Sequence, residues 1–295
     1  MAPRPGRAGS FGIVAAVYVV ALVAAVVVGL VQRSWHPIVV AVVADLAATL
    51  LVFAGSVWLD NSSTYDPYWS VAPIPIAAYW AFLAPQGGSG LLLRQLCVIA
   101  LVCWWGARLT ANWARGWSGL GHEDWRYEDF RRKTRRWYWL VSFAGIHLFP
   151  TVQVFLGCLA LWPALTGSHP LGALDVAGFI VTFGAISLEG LADRQLRAFV
   201  TGPKRPGEVL ETGLWSWSRH PNYFGELMFW WGLFLFGLAG DPRAWWGGLG
   251  ALSITLMFRF ASIPMIEQRM LERRPAFEQV RARVSMLLPL PPKRR

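Results

Sequence analysis

A chain of 295 residues that is 55% hydrophobic and only 15% charged is too apolar for an ordinary soluble domain. Its formal net charge of +10 is carried by segments between apolar runs, with no basic patch elsewhere, which argues for membrane topology and against a nucleic-acid partner. The three cysteines, Cys97, Cys103 and Cys158, fall in apolar runs without CxxC or Cys/His spacing, so neither a disulfide framework nor a metal centre is expected.

In chain order, residues 11–31 form an uninterrupted apolar run, longer than a signal-peptide core of about 7–15 residues, and predict a first membrane helix. A second is predicted over 37–59, with Asp45 inside it as a partner within the bundle or a proton-handling group. A short third span over 71–84 is interrupted by Pro73 and Pro75, which suits backbone lining a cavity. A fourth covers 90–107. A long basic loop, 108–136, separates it from a fifth span over 137–162 and a sixth over 171–191. After a loop at 192–220 come spans at 222–239 and 243–265 and an amphipathic tail. The expected fold is all-α: a polytopic membrane helix bundle of about eight spans, in one domain over 1–295. Eight spans place both termini on one side. That side collects 24 of the 27 Arg and Lys residues, leaving Arg33, Arg94 and Arg243 opposite, so the N- and C-termini are expected to be cytoplasmic.

The polar residues with chemical potential gather on the same side. Ser218-Arg219-His220-Pro221-Asn222-Tyr223 runs directly into an apolar helix, with Glu226 one turn inside. Pro221 suits a first helical position, and free N–H groups there, beside Arg219 and His220, suit a phosphate. Three further clusters are Tyr65 to Trp69; Arg108, Asn112 and Arg115 with Glu123, Asp124 and Tyr127; and Asp193, Arg194 and Arg197. Arg259 and Glu267 extend the first. Several Arg with Asn, His and Tyr at helix mouths fit a phosphate-bearing cofactor. HExxH, GxSxG, Walker and GxGxxG sequences are absent, so a nucleotide would bind among membrane helices.

Residues 186–290 resemble the C-terminal domain of the steroid 5α-reductase superfamily, nearest a bacterial branch. Asp193-Arg194-Gln195-Leu196-Arg197 is similar to the family's RxLR segment, and Lys204-Arg205-Pro206-Gly207-Glu208 to the KPG after it. Gly213-Leu214-Trp215 and Asn222-Tyr223-Phe224-Gly225-Glu226 match a GLF…ANYFGE stretch, and Arg259 stands sixteen residues before Pro275 as a family Arg stands before its YP. Asp66, seven residues before Pro73, occupies the place of a family glutamate. The resemblance implies an NADPH-dependent reductase of a conjugated C=C bond in a lipid or steroid-like enone, in the bacterial inner membrane. In it 1–136 forms the substrate side and 137–295 the cofactor-binding part. It implies Asp66 with Tyr65 or Tyr68, or Tyr127, as the proton-donating pair. Asp193, Arg197, Arg219, His220, Asn222, Tyr223, Glu226, Arg259, Asn112 and Arg115 would face the cofactor. The Arg-His-Pro-x-Tyr run also resembles isoprenylcysteine carboxyl methyltransferases and phospholipid N-methyltransferases, which implies S-adenosylmethionine as the alternative cofactor. Non-catalytic retention of the fold is the third reading.

Overall fold

A computed structural model describes residues 5–84, 89–205 and 207–293. Arg4, Arg294, Arg295 and Pro206 of the Lys-Arg-Pro-Gly-Glu segment lie outside them. The described residues are all-helical apart from one isolated bridge between Ser218 and Ser285. Seven helical stretches are long and apolar enough to cross a membrane, and the chain is an integral membrane protein.

Helix α1 (Arg7–Val31) packs on α2 (Pro37–Trp58) and leaves most of its surface exposed. Such a helix is stable only where its exposed face meets lipid. A 3₁₀ turn, Ser62–Tyr65, leads to α3 (Tyr68–Val71) and α4 (Pro73–Phe82). This is the short span expected over 71–84. At ten residues α4 falls well below the roughly 20 needed to cross a bilayer. Its Trp80 is fully buried against Phe155 and Trp162.

The basic loop expected over 108–136 is largely helical. Helix α5 (Ser89–Gly116) continues past the apolar run, and α6 (Trp125–Thr134) follows, capped by Asp124, whose side chain accepts from the Arg126 N–H. Next come α7 (Tyr138–Val141), α8 (Phe149–Cys158) and α9 (Leu161–Thr166). A π-type turn, Ser142–Leu148, lies between α7 and α8, just before Pro150. Pro150 cannot donate to the helix ladder and crowds the carbonyl one turn back, which widens the turn. Pro264 does the same after Phe258–Ser262, between α12 (Gly248–Met257) and α13 (Ile263–Arg273).

The tightest pairing is between α10 (Ala173–Thr201) and α11 (Pro221–Gly240). A Cβ on Gly225 would lie 2.7 Å from Glu189 Cβ, so glycine is what lets the two backbones approach. Helix α10 also contacts α5. At one end Arg94 holds Asp175 through Nε at 2.6 Å and Nη2 at 3.0 Å. The tail closes on the mouth of α11: α14 (Phe277–Arg283) buries Phe277 and Val280, and the Arg219 N–H donates to the Ser285 carbonyl at 2.9 Å.

Candidate functional site

Because α5 and α10 outrun their apolar segments, their polar ends face each other at helical spacing. Glu189, Asp193 and Arg197 recur every four residues on α10, as do Arg108 and Asn112 on α5, so each set forms one stripe. The stripes interlock. Arg108 pairs with Glu189 at 2.5 Å and with Asp193 at 2.9 Å. Asn112 donates to Asp193 at 3.4 Å and accepts from Arg197 at 3.2 Å. Asn222, in the first turn of α11, donates to the other Asp193 oxygen at 3.5 Å. Two carboxylates thus share one half-buried guanidinium. Arg108 Nε has no hydrogen-bond partner among the described residues.

Glu226 lies deeper on α11, where its two oxygens accept from the indoles of Trp230 (2.8 Å) and Trp105 (2.9 Å). Trp105 in turn stacks on Phe229 at 4.5 Å. This clamp orients the helix and sits below the mouth.

At the mouth, Pro221 takes the first helical position of α11 and His220 caps it without a side-chain cap bond. The His220 imidazole turns instead to Glu267 on α13, with Nε2 at 3.0 Å, while Arg219 meets the same carboxylate at 2.7 Å. Arg219 also donates to the Val284 carbonyl at 2.7 Å and the Arg281 carbonyl at 3.0 Å. Behind this knot is a cavity of about 230 Å³ lined by Arg219, His220, Asn222, Tyr223 and Arg274 among apolar side chains. The RxLR-like segment supports it: the Gln195 side chain accepts from the Leu214 N–H at 3.0 Å. It thereby fixes the 3₁₀ turn Gly213–Ser216, whose first residue has φ 60°, a conformation that favours glycine.

The third cluster lies where the 60–66 turn meets the 120–127 segment. Asn61 donates to the carbonyls of Leu120 and His122, Glu123 accepts from the Ser62 N–H, and Ser63 Oγ accepts from the Asp124 N–H. These four bonds set Tyr127 over Asp66, and its hydroxyl donates to Asp66 Oδ1 at 2.5 Å. Burial pushes the Asp66 carboxyl up to about 7, against the opposing pull of the Tyr127 hydrogen bond and the Arg126 charge. The tyrosine that reaches Asp66 is therefore Tyr127. Tyr68 donates to Asp45 at 2.7 Å, and Tyr65 bonds Thr151 at 2.8 Å. Arg269 of α13 stands over the Trp125 ring, 3.5 Å from its centroid, and so ties the α6 end of this cluster to the helix that carries Glu267.

The family described as "Protein of unknown function (DUF1295)" matches residues 52–284, most of the chain. The chain belongs to this family. An uncharacterized protein of Schizosaccharomyces pombe is 26% identical over 278 residues, covering 86% of this chain and 80% of that one. No solved structure matches. All three polar clusters lie within the DUF1295 region, whereas α1 lies outside it.

Of the residues expected at the site, Asn112, Asp193, Arg197 and Asn222 meet in the ladder, and Arg219, His220 and Tyr223 line the cavity beside it. Arg259 lies in the second π-type turn, exposed, with its guanidinium 5.2 Å from the Phe260 ring centroid. Arg115 is exposed at the end of α5 and is not brought into the ladder. Glu189 is the member that the sequence reading left out. Its signal was the four-residue step back from Asp193 within an apolar stretch.

Proposed function

We propose that this protein is a membrane-embedded, NADPH-dependent reductase of a conjugated C=C bond in a lipid or steroid-like enone, its polar mouth facing the cytoplasm of a bacterial cell. The observation that carries the reading is the hydrogen bond between buried Tyr127 and half-buried Asp66 beside a basic mouth. A phenol bonded to a carboxyl held near neutral form is suited to protonating a carbonyl oxygen as negative charge develops on it. In the cavity, Arg274 and the amide of Asn222, with Arg219 fixed beside them, fit a ligand rich in phosphate and hydroxyl groups. When bound, NADPH supplies a hydride for the β-carbon. Asn222, Asn112 and Arg197 hold and orient, and the Arg219–Glu267–His220 knot keeps the mouth of α11 in place. Tyr127 gives its proton to the substrate oxygen and regains one from Asp66. The aromatic floor of Trp105, Phe229 and Trp230 excludes water.

The test is thermal stabilisation of the detergent-purified protein, titrated with NADPH and separately with S-adenosylmethionine; a ligand of the folded state raises the midpoint by mass action. NADPH is expected to raise it and Asn222→Ala to abolish the rise. Stabilisation by S-adenosylmethionine alone would replace the reading with methyl transfer, and no response to either would favour a non-catalytic protein.

A further inference from the structure

A second cavity belongs to none of the three clusters. It measures about 790 Å³ and opens between α1, α2 and the α3–α4 segment. Its α1 wall runs from Tyr18 to Leu30, about 18 Å along the helix axis, with Arg33 just beyond the helix. Asp66 and Tyr127 do not line it. Its walls are apolar or glycine except for Tyr18, Arg33, Asp45, Tyr68 and Tyr79. The Tyr18 hydroxyl is engaged, donating to the Thr64 carbonyl at 2.8 Å. Arg33 lies beyond the helix end and is exposed.

Asp45 is different. It sits mid-helix on α2 and is 7% exposed. Tyr68 donates to Oδ1 at 2.7 Å, and among the described residues no hydrogen bond reaches Oδ2. A carboxyl oxygen without a hydrogen bond, on a residue that lines an apolar cavity, is a costly arrangement unless a ligand completes it. The completing group must be able to donate to the free oxygen, and a hydroxyl, which also accepts, fits the carboxyl with or without its proton. It must also be cheap to bring to this depth. One half-engaged carboxylate does not repay the desolvation of an ammonium, whereas a hydroxyl loses little.

We propose that this cavity binds a membrane lipid alcohol, an apolar body with a single neutral hydroxyl that donates to Asp45. Its occupant enters sideways from the bilayer past α1, whose outer face is exposed along its length. The site stands whether or not the protein reduces enones.

The experiment uses the full chain in phosphatidylcholine nanodiscs doped in turn with oleyl alcohol, oleyl methyl ether and oleylamine, with the lipid retained after purification counted by native mass spectrometry. The wild type is expected to retain the alcohol about tenfold over the ether, the worth of about one hydrogen bond. Asp45→Leu is expected to hold alcohol and ether equally. Gly29→Trp is expected to lose both: a Cβ there meets only Val40 Cγ1 at 3.9 Å, so the indole has room to occupy the cavity. Equal retention of alcohol and ether by the wild type, amine held above alcohol, or undiminished alcohol in Gly29→Trp would each overturn the proposal. The wild-type comparison needs no variant to fold, and bound lipid is read independently of turnover.

Discussion

Helices α5 and α10 are joined by an arginine at each end, and the two ends are built differently. At one, Arg94 faces a single carboxylate, Asp175, through two hydrogen bonds, and Asp175 also accepts from the Gly172 N–H ahead of α10. Charge is matched one to one. At the other, Arg108 faces two carboxylates, Glu189 and Asp193, with Asn112, Arg197 and Asn222 around them. The groups there are not paired one to one: Arg108 serves both carboxylates while Arg197 bonds the Asn112 amide. A matched pair is complete as a structural brace. A half-buried group of donors and acceptors not paired one to one is tolerable when a ligand shares it.

The largest expected effect breaks the brace. Arg94→Leu leaves Asp175 without its partner and should cost about 3–5 kcal/mol, read as a lowered unfolding midpoint in detergent. The NADPH-induced rise in midpoint should persist in that variant; its loss would mean that the two ends are not separate. Next comes Tyr127→Phe, which removes the proton donor but not the ring. Enone reduction should fall about 10²-fold or more, while stability changes by about 1 kcal/mol. Product assays and thermal unfolding together would show whether chemistry and stability part in this way.

The pH dependence sharpens the same contrast. Asp66 has its folded value raised by burial to about 7, so its neutral form favours folding. The stability it contributes is fully present below the ordinary carboxylate range and is lost as pH rises through about 7. The wild-type midpoint should decline across that window, and Asp66→Asn should flatten the decline. The smallest effect is expected at Arg115. It is exposed beyond the ladder, so Arg115→Ala should change stability by no more than about 0.5 kcal/mol and leave the NADPH response intact. A large effect would extend the site to the end of α5.

Much of this was legible in the sequence. Apolar runs mark the membrane helices because lipid demands them. Pro221 ahead of an apolar run marks the mouth of α11. The continuation of α5 and α10 was not legible, because hydropathy falls where a helix leaves the bilayer although its hydrogen-bond ladder does not. The basic stretch after residue 107 therefore reads as loop while Arg108 and Asn112 are helical. The partner of Asp66 was equally hidden. Tyr65 and Tyr68 are near in sequence, but the turn that carries Asp66 is stapled to residues 120–124, which delivers Tyr127 from 61 positions away. Asp45 and Tyr68 likewise meet only once α3 folds against α2.

The reductase reading rests on Tyr127 and Asp66 acting on a substrate oxygen beside bound NADPH. The most direct measurement follows NADPH consumption and saturated-ketone formation together, in nanodiscs supplied with a lipid enone, for the wild type, Tyr127→Phe and Asp66→Asn. One ketone formed per NADPH consumed, with the rate lost in Tyr127→Phe and lowered in Asp66→Asn, is the expected result. Undiminished ketone formation by Tyr127→Phe, or NADPH consumption without ketone, would contradict it.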